Sequence, residues 1–129
     1  MNSKINKKID KKILIVEDDK DFMFILQTNF RDEGFFIVTA QNGQEGLETA
    51  EKEKPDLILL DIMMPVMDGI EMAKRMRLKH INIPTIFLTN MSDVNHINKA
   101  IEVAPSEYII KSDVSIESII AEVKKKLGV

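Results

Sequence analysis

Four short apolar runs, none with an alternating polar face, limit this chain to few folds. A strand that helices cover on both faces of a parallel sheet has this composition, because neither of its sides meets water. A fifth run, from Phe35 to Ala40, is weaker. We therefore predict five strands, of which the four stronger ones lie at Ile13–Val16, Leu57–Leu60, Ile86–Leu88 and Tyr108–Ile110.

Segments with helical spacing follow these runs. The first is expected to end at Gly34 and to bury a mostly apolar face formed by Phe22, Ile25, Leu26, Asn29, Phe30 and Glu33. The second covers about residues 43 to 53, with Asn42 as its N-cap and Pro55 after its end. Three more helices are predicted from the apolar positions Ile70, Ala73 and Met76, then Val94, Ile97, Ala100 and Ile101, and finally Ile116, Ile119, Ile120, Val123 and Leu127.

Strand and helix alternate five times, so we predict an α/β fold with a doubly wound parallel sheet between two layers of helices. The 129 residues are enough for one core and too few for two. We assign residues 1–11 to a basic N-terminal tail and residues 12–129 to the domain. Ligands of such sheets bind beyond the carboxyl ends of the strands.

Composition excludes several functions. Cysteine is absent, which excludes disulfides, thiolate nucleophiles and cysteine-ligated zinc. The net charge is -3, which argues against nucleic acid as a direct partner even though lysines crowd the first twelve residues. The apolar stretch Ile13–Val16 is too short for a signal peptide or a membrane span. We expect a globular, cytoplasmic protein.

Acidic side chains follow two of the predicted strands. Glu17, Asp18 and Asp19 come directly after the first strand, and Asp61 ends the third. Carboxylates that meet at one edge of a sheet oppose each other's ionisation unless a proton or a cation is bound. Oxygen ligands without cysteine or clustered histidine favour a hard ion such as Mg²⁺. Each acid taken alone is equally well explained as a helix N-cap or a turn residue.

Two further strand ends supply a hydroxyl, from Thr89, and an ammonium, from Lys111. An aspartate can attack phosphorus, a metal ion and a lysine can neutralise the phosphoryl oxygens, and a hydroxyl can donate a hydrogen bond to one of them. The sequence therefore predicts phosphoryl chemistry at the carboxyl edge of the sheet.

Four ordered motifs in the chain resemble the response-regulator receiver family of two-component signalling. They are Ile-Leu-Ile-Val-Glu-Asp-Asp at 13–19, Leu-Ile-Leu-Leu-Asp-Ile-Met-Met-Pro-Val-Met-Asp-Gly at 57–69, Leu-Thr at 88–89 and Tyr-Ile-Ile-Lys at 108–111. The resemblance extends from Lys12 to Leu127, and four motifs in the expected order make a specific signal. It implies a flavodoxin-like sheet with strand order 2-1-3-4-5, flanked by five helices.

The resemblance also implies a role for each acidic residue. Asp61 would be the phosphoacceptor and Mg²⁺ the cofactor. Asp18 would ligate the metal directly, Glu17 would act on it through water, and Met63 would contribute its backbone carbonyl. Asp19 is expected to cap the first helix instead.

The remaining motif residues imply a switch and its partners. Thr89 would move to bind a phosphoryl oxygen, Tyr108 would shift with it, and Lys111 would bond the phosphoryl group. The donor would be a sensor histidine kinase or a phosphotransfer protein, and the downstream effector protein stays unknown. Family members often form homodimers through the fourth and fifth helices. Such a chain phosphorylates itself and loses the group slowly, so we do not expect an enzyme in the ordinary sense.

Several positions depart from the pattern of the family. Ser112 stands where proline usually follows the lysine, which leaves open whether the joining peptide is cis. Asn90 replaces the usual small residue after the fourth strand. Met63 and Met91 stand where family members often carry polar side chains that orient an attacking water. We therefore hypothesise a long-lived phosphoryl-aspartate.

Two other functions remain open from the sequence. A Mg²⁺-dependent phosphohydrolase of the haloacid-dehalogenase type also uses a strand-end aspartate nucleophile, but it needs a second aspartate where Met63 stands. An interaction module would keep the acidic residues without being phosphorylated. Turnover of a small phosphate ester would favour the first, and failure to bind Mg²⁺ or beryllofluoride the second.

Phe24, opposite the buried face of the first helix, is a candidate docking residue for the kinase.

Overall fold

A five-stranded parallel sheet forms the centre of the molecule. The computed structural model describes residues 8–90, 98 and 107–129. Its strands are β1 (Lys12–Val16), β2 (Phe36–Ala40), β3 (Leu57–Asp61), β4 (Thr85–Thr89) and β5 (Glu107–Ile110). They lie in the order β2-β1-β3-β4-β5, and every neighbouring pair is parallel. The predicted α/β class and strand order are confirmed.

Four helices are described in these parts of the chain. They are α1 (Lys20–Asp32), α2 (Gly43–Glu53), α3 (Gly69–Leu78) and α4 (Ile116–Leu127), and a single 3₁₀ turn spans Lys111–Asp113. The prediction was five helices. The predicted helix with Val94, Ile97, Ala100 and Ile101 lies outside the described residues, as does Met91. No helix within the described ranges is both long enough and apolar enough to cross a membrane.

The inner strands are buried on both faces, as their continuous apolar sequences predict. Side chains of β1, β3 and β4 alternate between two apolar layers. Leu14, Val16, Ile58, Leu60 and Phe87 pack on the side of α2 and α3. Ile13, Ile15, Leu57, Leu59, Ile86 and Leu88 pack on the side of α1 and α4. The weaker run forms the edge strand β2, where Phe36 is 55% exposed.

Side-chain caps fix where the helices begin. The carboxylate or amide oxygens of Asp19, Asn42 and Asp68 accept backbone N–H groups in the first turns of α1, α2 and α3, and the Ser115 hydroxyl does the same for α4. The N-cap roles predicted for Asp19 and Asn42 are confirmed. Gly34 follows α1 with a φ of 106°, a backbone conformation that side chains resist.

The predicted buried face of α1 was wrong at Ile25, which is 43% exposed. Leu26 and Phe30 are fully buried, and the half-buried Phe22 and Met23 flank them. A helix turns by about 100° per residue, which puts Ile25 about 100° from Leu26 and beyond the sector that faces the sheet. Met23 lies only about 60° from Leu26 on the other side. Phe24 is 64% exposed, as predicted.

The start of α3 is pressed against the end of β3. The Gly69 N–H donates to the carbonyl oxygen of Ile62 over 2.9 Å. A Cβ atom added to Gly69 would lie 2.2 Å from the backbone oxygen of Asp61, far inside van der Waals contact. Glycine at this position therefore lets the helix approach the residue that ends the strand.

We expect Gly69→Ala to lower the free energy of unfolding by about 2–3 kcal/mol, because the backbone of α3 or β3 must move to admit the methyl group. Urea unfolding measures this loss. Lys74→Ala, at an exposed position of the same helix, is the control and should change the free energy by less than about 0.5 kcal/mol. Equal unfolding midpoints for Gly69→Ala and the wild type would contradict the proposed close contact.

Candidate functional site

Three carboxylates meet at the carboxyl edge of the sheet. Val16 pairs with Leu60 in the β1–β3 register, so Glu17 and Asp61, each one residue further on, come to equivalent positions of neighbouring strands. Glu17 and Asp61 are buried, whereas Asp18 is exposed. One oxygen from each carboxylate lies within 4.8 Å of the others. The predicted convergence of acids from two strand ends is therefore present.

The Lys111 ammonium lies between the two buried carboxylates. Its Nζ is 2.6 Å from Glu17 Oε1 and 3.3 Å from Asp61 Oδ2, and the lysine side chain is only 9% exposed. Lys111 directly follows β5, and β4 lies between β5 and β3 in the sheet. The lysine side chain therefore reaches the acids across the end of β4. Ser112 follows it through a trans bond, since the described residues contain no cis peptide.

One ammonium does not balance this cluster. Three carboxylates and one ammonium leave two negative charges when all groups are ionised. The pKa of Asp61 is raised from its ordinary value of 3.8 to about 7, first by burial and then by the charge of Glu17, whereas Lys111 lowers it. Burial and the charge of Glu17 thus favour the protonated form of Asp61, and a further cation would favour its ionised form.

The donor set of the cluster fits a hard divalent ion. All three side chains offer carboxylate oxygen. Such oxygen ligands suit Mg²⁺ or Ca²⁺ better than zinc or copper. A divalent ion would also cancel the two negative charges that remain.

Glu17 has a second contact that the sequence did not suggest. Its Oε2 accepts the N–H of Asp19 over 3.0 Å, and the Asp19 carboxylate in turn accepts the N–H groups of Asp21 and Phe22. The start of α1 is therefore tied to the acidic cluster. In the sequence, only the position of Glu17 two residues before the expected N-cap Asp19 pointed to this contact.

The other predicted site residues differ in how far they are buried. Thr89 is fully buried at the end of β4 and pairs with Ile110, the neighbour of Lys111. The Met63 N–H donates to Asp61 Oδ1 over 3.4 Å, and its side chain is about half exposed. Tyr108 is 39% exposed on the edge strand β5.

Sequence comparisons agree with this geometry. Residues 13–124 match the family described as "Response regulator receiver domain". The chain is 38% identical over 103 residues to the alkaline phosphatase synthesis transcriptional regulatory protein PhoP of Bacillus subtilis, a match that covers 80% of this chain and 43% of PhoP. It is 34% identical over 116 residues to the transcriptional regulatory protein PrrA of Mycobacterium tuberculosis, covering 90% and 49%. The chain therefore spans less than half the length of these curated relatives.

Solved structures show the same fold. The CheY-like response regulator receiver domain protein from Methanospirillum hungatei superposes with a TM-score of 0.85 at 27% identity, covering 92% of this chain and 94% of that one. The receiver domain of the Francisella response regulator 1452 gives a TM-score of 0.82 at 30% identity, covering 89% and 94%. With its sheet order and acidic cluster, this chain belongs to the response regulator receiver domain family of two-component systems, in which phosphorylation of an aspartate is the standard function.

Proposed function

We propose that Asp61 is the residue of this receiver that takes the phosphoryl group. The observation that carries the proposal is the position of its carboxylate, buried beside Glu17 and Lys111 at the carboxyl edge of the sheet. In the reaction, an Asp61 oxygen forms a bond to phosphorus while the bond from phosphorus to the donor's histidine nitrogen breaks. The imidazole of the donor is the leaving group and takes up a proton, and Asp61 becomes an acyl phosphate.

The metal in this proposal is Mg²⁺. Asp18, Asp61 and the carbonyl of Met63 would hold it, and Glu17 would act on it through water. When bound, it supplies positive charge against the phosphoryl oxygens. Lys111 supplies a second positive charge, and its buried position keeps that charge from being screened by water.

Phosphorylation would act on the rest of the molecule through Thr89 and Tyr108. Thr89 lies at the end of the strand next to β3, within the same sheet edge as Asp61. A hydroxyl that moves to the phosphoryl group vacates space, and Tyr108, partly exposed on the neighbouring strand, would move into it. Phosphorylation would thus shift the protein between two conformations that present different surfaces, because the phosphoryl group stabilises one of them.

The partners follow from this chemistry. The donor is a sensor histidine kinase or a phosphotransfer protein, and the output passes to an effector protein. We propose residues 12–129 as the functional domain, with Ile9 of the preceding segment packed against its core. Homodimerisation through the fourth and fifth predicted helices is also proposed, although the fourth lies outside the described residues.

The function is that of a switch and not of a conventional enzyme. The named relatives are transcriptional regulators. A haloacid-dehalogenase-type phosphohydrolase is disfavoured because Met63 stands where its second aspartate would be. The only covalent changes that we propose are the self-catalysed transfer to Asp61 and a slow loss of the group.

We expect the wild type to gain one phosphoryl group from acetyl phosphate and Mg²⁺, and Asp61→Asn to gain none, because the amide is not a nucleophile. Intact-mass spectrometry measures the modification. Asp19→Asn is the matched control, since asparagine also caps a helix, and it should be modified like the wild type. Modification of Asp61→Asn would refute the assignment. So would a wild type that no donor modifies.

We also expect stability to depend on pH through Asp61. The pKa of Asp61 is raised to about 7 in the folded state, so the folded state binds the proton more tightly than the unfolded state. The contribution of Asp61 to the free energy of unfolding is therefore fully present below pH 3.8 and is lost as pH rises towards 7. Without metal, Asp61→Asn should therefore be more stable than the wild type by about 1–3 kcal/mol at about pH 8 and much less so at about pH 5.

Urea unfolding of the two proteins across this pH range measures that difference. Adding Mg²⁺ at about pH 8 should stabilise the wild type and leave Asp61→Asn much less affected, because the ion replaces the missing positive charge. A stability difference that does not vary with pH would show that Asp61 is not held in the environment described.

Substitution of Met63 tests whether its side chain contributes to a long lifetime of the phosphoryl group. Methionine carries no group that can orient water, so we expect the wild type to keep its label for minutes or longer after the donor is removed. Met63→Glu adds a carboxylate two residues from Asp61 and should shorten the lifetime by about tenfold or more. Val66→Glu, at a position of the same loop that is 83% exposed, is the charge-matched control. A wild-type lifetime of seconds would refute the hypothesis.

A further inference from the structure

The aromatic ring of Phe22 contacts the ammonium that serves the phosphoryl site. Lys111 Nζ lies over this ring, 4.7 Å from its centroid. The face of an aromatic ring attracts a cation at this distance, most strongly where water is excluded. The Lys111 side chain is 9% exposed, so the contact is made in such a place. The helical spacing of α1 predicts Phe22 on the buried face of the helix and gives no sign of a part in the site.

The backbone that carries Lys111 does little to hold its side chain. Lys111 begins a single 3₁₀ turn that has no side-chain cap. A lysine side chain has about 2 kcal/mol of rotamer entropy to lose when it is held in one position. Its charged end must therefore be located by the groups around it, and three of these among the described residues are Glu17, Asp61 and Phe22.

Two of these three contacts are with groups that the reaction uses. In the proposed function Glu17 acts on the metal ion and Asp61 becomes an acyl phosphate, so the ammonium exchanges its contact with an Asp61 oxygen for contact with the phosphoryl group, and its contact with Glu17 changes as the metal binds. The Phe22 ring neither binds metal nor changes charge. Its contact with Lys111 can therefore persist before and after transfer.

The structure also fixes where the ring stands. The Phe22 N–H donates to Asp19 Oδ1 over 3.3 Å, and the Asp19 N–H donates to Glu17 Oε2 over 3.0 Å. The first turn of α1 is thus tied to the acidic cluster, and the ring is carried on that turn. Its half-buried side chain packs against the apolar layer that contains Leu26 and Phe30.

We propose that Phe22 is a positioning residue for Lys111, holding the ammonium at the phosphoryl site through the face of its ring. This inference rests on the proposed function, since it concerns the group that Lys111 binds there. Its distinctive consequence is that an aromatic ring is required at position 22, and that apolar volume alone does not suffice.

The test compares Phe22→Leu, which keeps apolar bulk, with Phe22→Tyr, which keeps the ring. Beryllofluoride with Mg²⁺ is the probe, because it takes the place of the phosphoryl group, and its affinity is measured by NMR titration. We expect Phe22→Leu to bind beryllofluoride about tenfold more weakly and Phe22→Tyr to bind within about twofold of the wild type. Mg²⁺ affinity without beryllofluoride should change by less than about twofold in both.

Phe30→Leu controls for a loss of packing. Phe30 lies on the same helix, is fully buried and meets the ring of Phe35 edge to face. Its replacement should lower the melting temperature and leave the beryllofluoride affinity of the folded protein unchanged. The Hε protons of Lys111 give a second readout, because a ring face shifts them upfield in the wild type and in Phe22→Tyr but not in Phe22→Leu.

Three outcomes would overturn the inference. Wild-type affinity in Phe22→Leu would show that the ring is dispensable, and an equal loss in Phe22→Leu and Phe22→Tyr would show that the aromatic face is not what matters. Lys111 Hε shifts that are the same with and without the ring would remove the contact itself. Failure of the wild type to bind beryllofluoride would overturn the proposed function, whereas an affinity loss confined to Phe22→Leu supports both.

Discussion

The repulsion between two buried carboxylates, Glu17 and Asp61, is the constraint on which the site depends. Parallel strands place their ends together, so the sheet brings these acids into contact at a cost that the apolar layers beneath must bear. Lys111 relieves part of that cost. The pKa of Asp61 is nevertheless raised, first by burial and then by the charge of Glu17. An unbalanced negative charge of this kind binds a divalent ion more tightly than a neutral site would. The same imbalance makes the acceptor sensitive to whatever cation is bound.

Sequence predicted the parts of the fold that depend on burial and on caps. The inner strands could be read because both of their faces are apolar, and Asp19 and Asn42 could be read because capping is local. The sequence did not predict which residues of α1 at the border of its apolar face turn towards the sheet. Ile25 and Met23 are equally apolar, and only the packing of the helix against the sheet decides which of them meets the core.

The candidate site could be predicted in its residues but not in its contacts. Strand ends carry Asp61, Thr89 and Lys111 in the sequence itself, and the sheet order brings them to one edge. The contact of Lys111 with Phe22 joins residues far apart in the chain, so no spacing rule could have found it. The raised pKa of Asp61 likewise depends on burial, which a string of residues does not contain.

The hydrogen bonding of Glu17 limits what evolution can place at this position. One carboxylate oxygen accepts from the Lys111 ammonium, and the other accepts from the N–H of Asp19. Glutamine has the same shape but offers one oxygen and one amino group. In either orientation its amino group would point at a donor, either the ammonium or the amide. The position therefore selects for a side chain that accepts at both ends, which is a stricter demand than negative charge alone.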